Sequence, residues 1–146
     1  MKRSKFRLVA AAVLVLGAGA ATAALPPIRY QGDVQYLSGG VGSDESESIK
    51  QAASTFPLAL EFVRKATPRD EYLANVAVEI SDYGGRSVLD VMSDGPFLLA
   101  RLPSGKYTVR ATYDGRSLER KVHVADLTPT RAVFVWPGER QSDRGE

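Results

Sequence analysis

Seven short runs of alternating apolar and polar residues fill the chain from residue 58 onward, and Gly, Pro, Ser or Asp separates most of them. The runs cover 58–64, 76–80, 87–92, 97–102, 106–113, 117–124 and 131–136. A two-residue period places one side of a strand in a core and the other in solvent. Closely spaced strands of this kind are typical of two packed antiparallel sheets. The pattern therefore predicts a mainly β fold, a seven-stranded antiparallel β-sandwich.

One hairpin can be paired residue by residue. Asp114-Gly115 joins two of the runs, and this dipeptide favours a two-residue hairpin turn. Pairing outward from the turn sets Arg110 opposite Glu119, and this opposite-charge pair supports the register. The pairs expected on the core side are Tyr107 with Val122 and Ala111 with Leu118.

The same register leaves the charged Arg120 on the core side, opposite Val109. Either this side chain reaches solvent at the rim of the sheet, or a β-bulge resets the alternation. The sequence leaves both alternatives open.

Ser104-Gly105-Lys106 is similar to part of a phosphate-binding loop, a motif that ends in Gly-Lys followed by Ser or Thr. Here Ala100 stands where that motif has its first glycine, and Tyr107 follows the lysine. The loop would also open a helix, whereas residues 106–113 alternate as a strand does. We therefore interpret this segment as a turn before a strand.

The first 23 residues have the parts of an export signal. Lys and Arg crowd residues 2–7, an Ala/Leu/Val/Gly run follows, and small residues lead to Ala23. The run is short and poor in strongly apolar residues for a membrane span, which needs about 20. We expect a signal peptide at 1–23, cleaved between Ala23 and Ala24 or one residue later. The mature protein would be periplasmic or secreted and would have no membrane span.

Removal of this segment changes the charge of the chain. Four of the 19 Lys and Arg precede residue 24 and all 17 Asp and Glu follow it, which leaves 15 against 17, a net of −2. No basic run remains that would indicate a nucleic-acid partner. The chain has no Cys, so disulfides cannot stabilise it and burial must do so.

Residues 24–43 are expected to form an extended, glycine-rich lead-in, because Pro26 and Pro27 oppose a helix. The sandwich domain, with a short helix at its start, would span 44–137. The polar residues 138–146 are expected to form a disordered tail.

The short helix is predicted from a capping pattern and from helical spacing. Asp44 is expected to cap it, with Glu47 three positions later as in a capping box. The apolar residues at helical spacing are Ile49, Ala52, Ala53 and Phe56.

Few residues offer catalytic chemistry. His123 is the only histidine, whereas zinc sites need several ligands and a serine triad needs a His between Ser and Asp. Asp82, Asp90 and Asp94 fall near turns, where Asp commonly bonds to the backbone. We therefore expect no enzyme activity, no cofactor and no metal site.

Candidates for ligand binding come from two places in the sequence. One is the glycine-rich stretch, with Ser38, Gly39, Gly40 and Gly42. The other is Trp136, although it shares a strand face with Phe134, which favours core packing. A sugar site would be favoured by an exposed Trp136 or by a cluster of Tyr30, Tyr36 and Tyr83.

Four stretches resemble the carboxypeptidase regulatory-like domains. They are YLANVAVEI (72–80), DGPF (94–97), LPSGKYTV (102–109) and YDG (113–115). That family consists of seven-stranded sandwiches of the transthyretin or prealbumin-like type, also grouped with carbohydrate-binding-like folds. The resemblance implies that Pro103 ends a strand, that Gly105 permits a turn and that Tyr107 fills the core.

The resemblance covers residues 73–136 and implies a fold rather than an activity. The family's opening Gly-x-Val strand is replaced here by the helix and the run 58–64. The segments YLSGGVGSDES and FPLALEF also resemble small exported proteins of Gram-negative bacteria, which implies the periplasm.

Three functions fit these features. The first is an exported, non-catalytic binding or interaction module of the cell envelope, with an envelope protein or a polysaccharide as its partner. The second is a carbohydrate or small-molecule binding module. The third, least supported by the residues present, is a hydrolase.

Overall fold

The computed structural model describes residues 24–138. The predicted signal peptide and, except for Gly138, the predicted tail lie outside this range. The described chain forms ten strands and one α-helix, α1 (Ser43–Ala52), which continues into a 3₁₀ turn (Ala53–Thr55). The strands are β1 (Arg29–Gln31), β2 (Val34–Gly39), β3 (Leu58–Arg64), β4 (Glu71–Tyr72), β5 (Val76–Asp82), β6 (Ser87–Ser93), β7 (Phe97–Arg101), β8 (Gly105–Tyr113), β9 (Arg116–Val124) and β10 (Thr130–Trp136).

The strands form two sheets, so the mainly β, two-sheet prediction is confirmed. The six-stranded sheet has the order β1-β2-β7-β3-β10, with the short β4 also paired to β3. The four-stranded sheet has the order β6-β5-β8-β9.

The count of seven strands was too low, because β1, β2 and β4 lie outside the alternating runs. β2 falls in the stretch expected to be an extended lead-in, yet it pairs with β7 inside the larger sheet. Its Tyr36 faces the core between the sheets and its Leu37 faces the helix, so both sides are buried. A strand buried on both sides has no two-residue period, which is why the sequence pattern missed it.

The expectation of purely antiparallel sheets was also wrong. β10 runs parallel to β3 over seven paired residues, from Thr130 opposite Leu58 to Trp136 opposite Arg64. The chain leaves the four-stranded sheet after β9 and crosses to the edge of the other sheet. The alternation of apolar and polar residues in β10 shows which face of the strand is buried. It does not show whether the strand runs parallel or antiparallel to its neighbour.

The main core lies between the sheets. Phe62, Phe134 and Trp136 form an aromatic cluster with ring centroids 5.8 to 6.2 Å apart. Val78, Ile80 and other inward residues of the four-stranded sheet pack in the same core. Burial of each such side chain stabilises the fold by about 1.5–3 kcal/mol.

A second, smaller apolar cluster lies under α1 on the outer face of the larger sheet. Ile49 and Phe56 are buried against Leu37, Ala59 and Leu99 of the sheet. The predicted apolar face of the helix is therefore confirmed.

The predicted cap of this helix was wrong. Gly42, not Asp44, occupies the N-cap position, and no side chain caps the helix there. Glu45 folds back instead, and its Oε1 accepts a hydrogen bond of 2.8 Å from the Gly40 N–H. Asp44 and Glu45 still place negative charge in the first turn, where it interacts favourably with the positive end of the helix dipole.

The hairpin of β8 and β9 has the predicted register throughout. Tyr113 pairs with Arg116, and Asp114 and Gly115 both have positive φ (49° and 74°), as a type I′ turn requires. Arg110 lies opposite Glu119, with 3.4 Å between Nη2 and Oε2.

Of the two alternatives for Arg120, the structure has the first: the side chain reaches solvent at the rim of the sheet. It lies opposite Val109 in a ladder without a bulge, and it is exposed. Its Nη1 donates a 2.6 Å hydrogen bond to the carbonyl oxygen of Val133 on β10. The side chain thus crosses from one sheet to the other.

Two further contacts join β9 and β10, so side chains bridge this open side of the sandwich. The Thr130 hydroxyl donates to the His123 carbonyl at 2.7 Å. The Trp136 indole N–H donates to the Arg116 carbonyl at 3.0 Å. We call these contacts, together with that of Arg120, the β9–β10 bridges.

The Gln31 side chain is one of those that bridge the opposite open side. The Gln31 amide of β1 accepts from the Asp90 N–H at 2.6 Å and donates to the Asp90 carbonyl at 3.0 Å. Asp90 lies on β6, the edge strand of the four-stranded sheet. The amide therefore occupies the backbone positions that another strand would use.

Candidate functional site

The glycine-rich stretch lies largely inside the molecule. Ser38 is 6% exposed, and Gly39 and Gly40 are also buried, while Gly42 is exposed at the start of α1. The Ser38 hydroxyl accepts a hydrogen bond of 3.1 Å from the Asp94 N–H. These contacts give the stretch a structural role, and its binding role stays a prediction.

Two glycines here permit close approach of backbone to neighbouring groups. A Cβ on Gly40, whose φ is 99°, would lie 2.5 Å from the Phe97 ring. A Cβ on Gly95 would lie 2.3 Å from the carbonyl oxygen of Gly39. Gly40 and Gly95 are needed because the turn before β7 packs directly on the end of β2.

Trp136 is a core residue in this structure. It is 2% exposed, and its ring contacts Phe62, Phe134 and Tyr113. Its indole N–H is taken by one of the β9–β10 bridges. The ring therefore has no face open to a sugar.

The three tyrosines considered for a sugar site lie apart. Tyr36 is buried in the core, Tyr30 lies on β1 of the larger sheet, and Tyr83 follows β5 in the smaller sheet. Tyr83 is the most exposed of them, at 87%.

The three aspartates considered as catalytic candidates have separate surroundings. Asp82 Oδ1 accepts from the Arg86 N–H at 2.9 Å and so fixes the β5–β6 turn. Asp94 pairs with Arg29 at 3.4 Å, and the Asp90 backbone binds Gln31. Between residues 24 and 138, no group of three or more potential metal ligands comes together.

A cleft of about 440 Å³ opens at one end of the four-stranded sheet. β5 ends there, β8 begins there and β9 ends there, because these strands are neighbours of alternating direction. The pairing of Asp82 with Tyr107 brings the β5–β6 turn beside the start of β8. The lining residues are Asp82, Tyr83, Lys106, Tyr107, Thr108, Lys121, Val122 and His123.

Three nitrogen-bearing side chains point from the sheet into this cleft. Lys106 lies directly opposite His123, and Thr108 lies directly opposite Lys121. His123 is exposed and lies on the outward face beside Lys106. Within the described range, neither lysine has an ion-pair or hydrogen-bond partner.

Tyr107 forms the inner wall of the cleft and connects it to the core. It is 8% exposed, and its hydroxyl donates to the Pro103 carbonyl at 2.7 Å. Burial raises the pKa of this hydroxyl above the usual 10.0, and the nearby negative charge of Asp82 raises it further. The hydroxyl is thus held neutral as a hydrogen-bond donor to the backbone.

The sequence contained part of the signal for this cleft. The register set by Asp114-Gly115 already placed Lys106, Thr108, Lys121 and His123 on one outward face. It did not bring Tyr83 there, since that requires the β5–β8 pairing.

No protein-family model matches this chain, and no curated protein shows significant similarity to it. No helix between residues 24 and 138 is long and apolar enough to cross a membrane.

Proposed function

We propose that this chain is an exported, non-catalytic binding module of the cell envelope, and that the cleft beside Lys106 and His123 is its binding site. The observation that carries the proposal is the cleft itself. Its volume of about 440 Å³ falls in the range of small-molecule sites, about 300–1,000 Å³. It also combines an exposed aromatic ring with polar groups that have no partner in the described chain.

Side-chain contacts at β6 and between β9 and β10 favour a cleft over a strand-addition site at these edges. Partners that add a strand need free backbone groups along a sheet edge. The middle of β6 is bound by Gln31, and the β9–β10 bridges occupy the gap between β9 and β10. A ligand held by side chains therefore fits this protein better than a partner strand.

The prealbumin-like, carboxypeptidase regulatory-like type is part of the proposal. It is supported by the placement of LPSGKYTV: Pro103 lies between β7 and β8, and Gly105 begins β8. Tyr107 is buried, as the resemblance implies, and its hydroxyl also donates to the Pro103 carbonyl. The added strands β1, β2 and β4 would be elaborations of that fold.

The non-catalytic character of the site is supported by how its titratable groups are arranged. A general base needs an orienting partner and a nucleophile within hydrogen-bond reach. The His123 side chain makes no hydrogen bond within residues 24–138, and the Asp82 carboxylate is engaged by the β5–β6 turn. With this arrangement His123 can bind a ligand but has no orienting partner for proton transfer among the described residues.

The test is to map binding of envelope polymers residue by residue. Protein purified after expression of the full-length chain would be isotope-labelled and titrated with peptidoglycan fragments, soluble polysaccharides and lipopolysaccharide core oligosaccharides. We expect amide shifts confined to 82–83, 106–108 and 121–123 with at least one of these. Shifts elsewhere on the surface, or none with any fraction, would contradict the proposed site.

A further inference from the structure

The cleft carries positive charge that the described protein does not neutralise. Lys106 and Lys121 are diagonal neighbours on the outward face, because Lys106 lies opposite His123 and Lys121 lies two residues away along β9. Like charges at this spacing repel each other unless a counter-charge lies between them. A paired charge, by contrast, is found further along the same face, where Arg110 meets Glu119.

The nearby carboxylates are engaged elsewhere. Asp82, which lines the cleft, accepts from the Arg86 N–H in its own turn. Glu119, two residues from Lys121, pairs with Arg110. An oxyanion entering the cleft would therefore meet two lysines that form no ion pair within the described residues and a histidine nitrogen, against the single carboxylate of Asp82 in the lining. Charge-assisted hydrogen bonds to such an oxyanion are about twice as strong as neutral ones.

The aromatic wall adds a second requirement. Tyr83 is 87% exposed, and within the described chain its ring makes no ring contact and its hydroxyl makes no hydrogen bond. Tyrosine offers a large, rigid, amphipathic surface at little entropic cost. A ring-shaped molecule with polar edges could lie on it while an oxyanion reaches the lysines.

We propose that the cleft binds a saccharide that carries an oxyanion group, either a carboxylate or a phosphate. This deepens the proposed function and rests on it. Lys106 and Lys121 hold the oxyanion, His123 and Thr108 donate or accept at its edge, and Tyr83 contacts the sugar ring.

The experiment compares four probes by calorimetry at low salt. They are a galacturonate tetrasaccharide, glucose 6-phosphate, a neutral glucose tetrasaccharide and inorganic phosphate alone. We expect one of the first two to bind at least tenfold more tightly than the neutral sugar and than phosphate. The stronger of the two identifies the oxyanion, and its affinity should fall as salt is raised.

Single substitutions test the two parts of the site, the lysines that hold the oxyanion and the tyrosine that contacts the sugar ring. Lys106→Gln and Lys121→Gln should each weaken the acidic saccharide about tenfold, the loss expected for one charge-assisted hydrogen bond. Tyr83→Ala should weaken the saccharide and leave inorganic phosphate unchanged. Lys65→Gln is the matched control, since it removes an exposed lysine charge that pairs with Asp70 outside the cleft, and it should have no effect. All four side chains are exposed or lie at a turn, and unchanged thermal unfolding would show that each variant folds.

The outcomes separate this inference from the function it rests on. If the neutral tetrasaccharide binds the cleft as tightly as the acidic one, the oxyanion inference is wrong and the binding module stands. If Lys65→Gln weakens binding as much as Lys106→Gln does, the attraction is a general surface effect and the inference is also wrong. If no envelope polymer shifts the cleft amides, the proposed function itself fails.

Discussion

Replacing Gly95 by alanine should damage the fold far more than its small size suggests. The added Cβ would lie 2.3 Å from the Gly39 carbonyl oxygen and 2.4 Å from its carbonyl carbon, where real contacts are not closer than 3.0 Å. The two backbones would have to separate by about 0.7 Å, the difference between 3.0 and 2.3 Å. Gly39 cannot yield easily, because it pairs with Phe97 in the larger sheet.

The cost follows from the hydrogen bonds at this contact. The Asp94 N–H donates to the Ser38 hydroxyl at 3.1 Å, and the Ser93 hydroxyl donates to the Gly95 carbonyl at 2.7 Å. Loss of a buried partner costs about 1–3 kcal/mol for each group left unsatisfied. With the overpacking itself, about 1–3 kcal/mol, we expect Gly95→Ala to destabilise by roughly 3 kcal/mol or more.

The assay is urea unfolding followed by tryptophan fluorescence, since Trp136 is the only tryptophan and is buried. Gly84→Ala is the matched control: its nearest neighbour would be Asp82 Oδ1 at 3.4 Å, an ordinary contact, so its free energy of unfolding should change by less than about 1 kcal/mol. A loss below about 1 kcal/mol for Gly95→Ala would refute the view that close packing of this turn on β2 requires a glycine at position 95.

Three further predictions concern Gln31, Tyr107 and the N-terminus. Gln31→Ala removes both bonds to Asp90 and should cost about 1–2 kcal/mol in urea unfolding; it should also expose the β6 edge, so that dimers or aggregates appear in size-exclusion chromatography. An unchanged unfolding midpoint and elution volume would count against this. Because the Tyr107 pKa is raised in the folded state, its contribution to stability is full below pH 10 and is lost as pH rises from there through the raised pKa. The urea midpoint should therefore fall more steeply above pH 10 than that of Tyr107→Phe, and parallel curves would contradict the assignment. N-terminal sequencing of protein from a periplasmic extract should begin at Ala24 or Leu25; full-length chain found only in the inner membrane would exclude export.

The alternation of apolar and polar residues was sufficient to predict a strand wherever one face of that strand meets the core and the other meets solvent. All seven alternating runs are strands, and the register outward from Asp114-Gly115 was correct at every predicted pair. In β2 the two-residue alternation is absent, because both faces of the strand are buried. The four-stranded sheet covers Tyr36 on one face, and α1 covers Leu37 on the other.

The candidate site could be predicted only in part, for a related reason. Lys106 and His123 are brought together by a hairpin, which is a local structure with a sequence signature. Tyr83 joins them through the pairing of β5 with β8, two strands that are not consecutive in the chain. Gly39 and Gly95 likewise meet only after β2 and β7 have paired, so the sequence around Gly39 suggested a binding stretch and gave no sign of this packing contact.

The position of β10 has a consequence for the order of folding. The last strand of the described chain supplies Phe134 and Trp136 to the core, and its partner β3 lies some seventy residues earlier, since Trp136 pairs with Arg64. Contacts between residues so distant in sequence form slowly, because a long loop must close first. As the chain emerges from the ribosome with its N-terminus first, β3 lacks its β10 partner and the core lacks Phe134 and Trp136 until β10 has been made. The two sheets can therefore pack completely only once the chain through Trp136 is available, so a partly made chain leaves Phe62 without its aromatic neighbours.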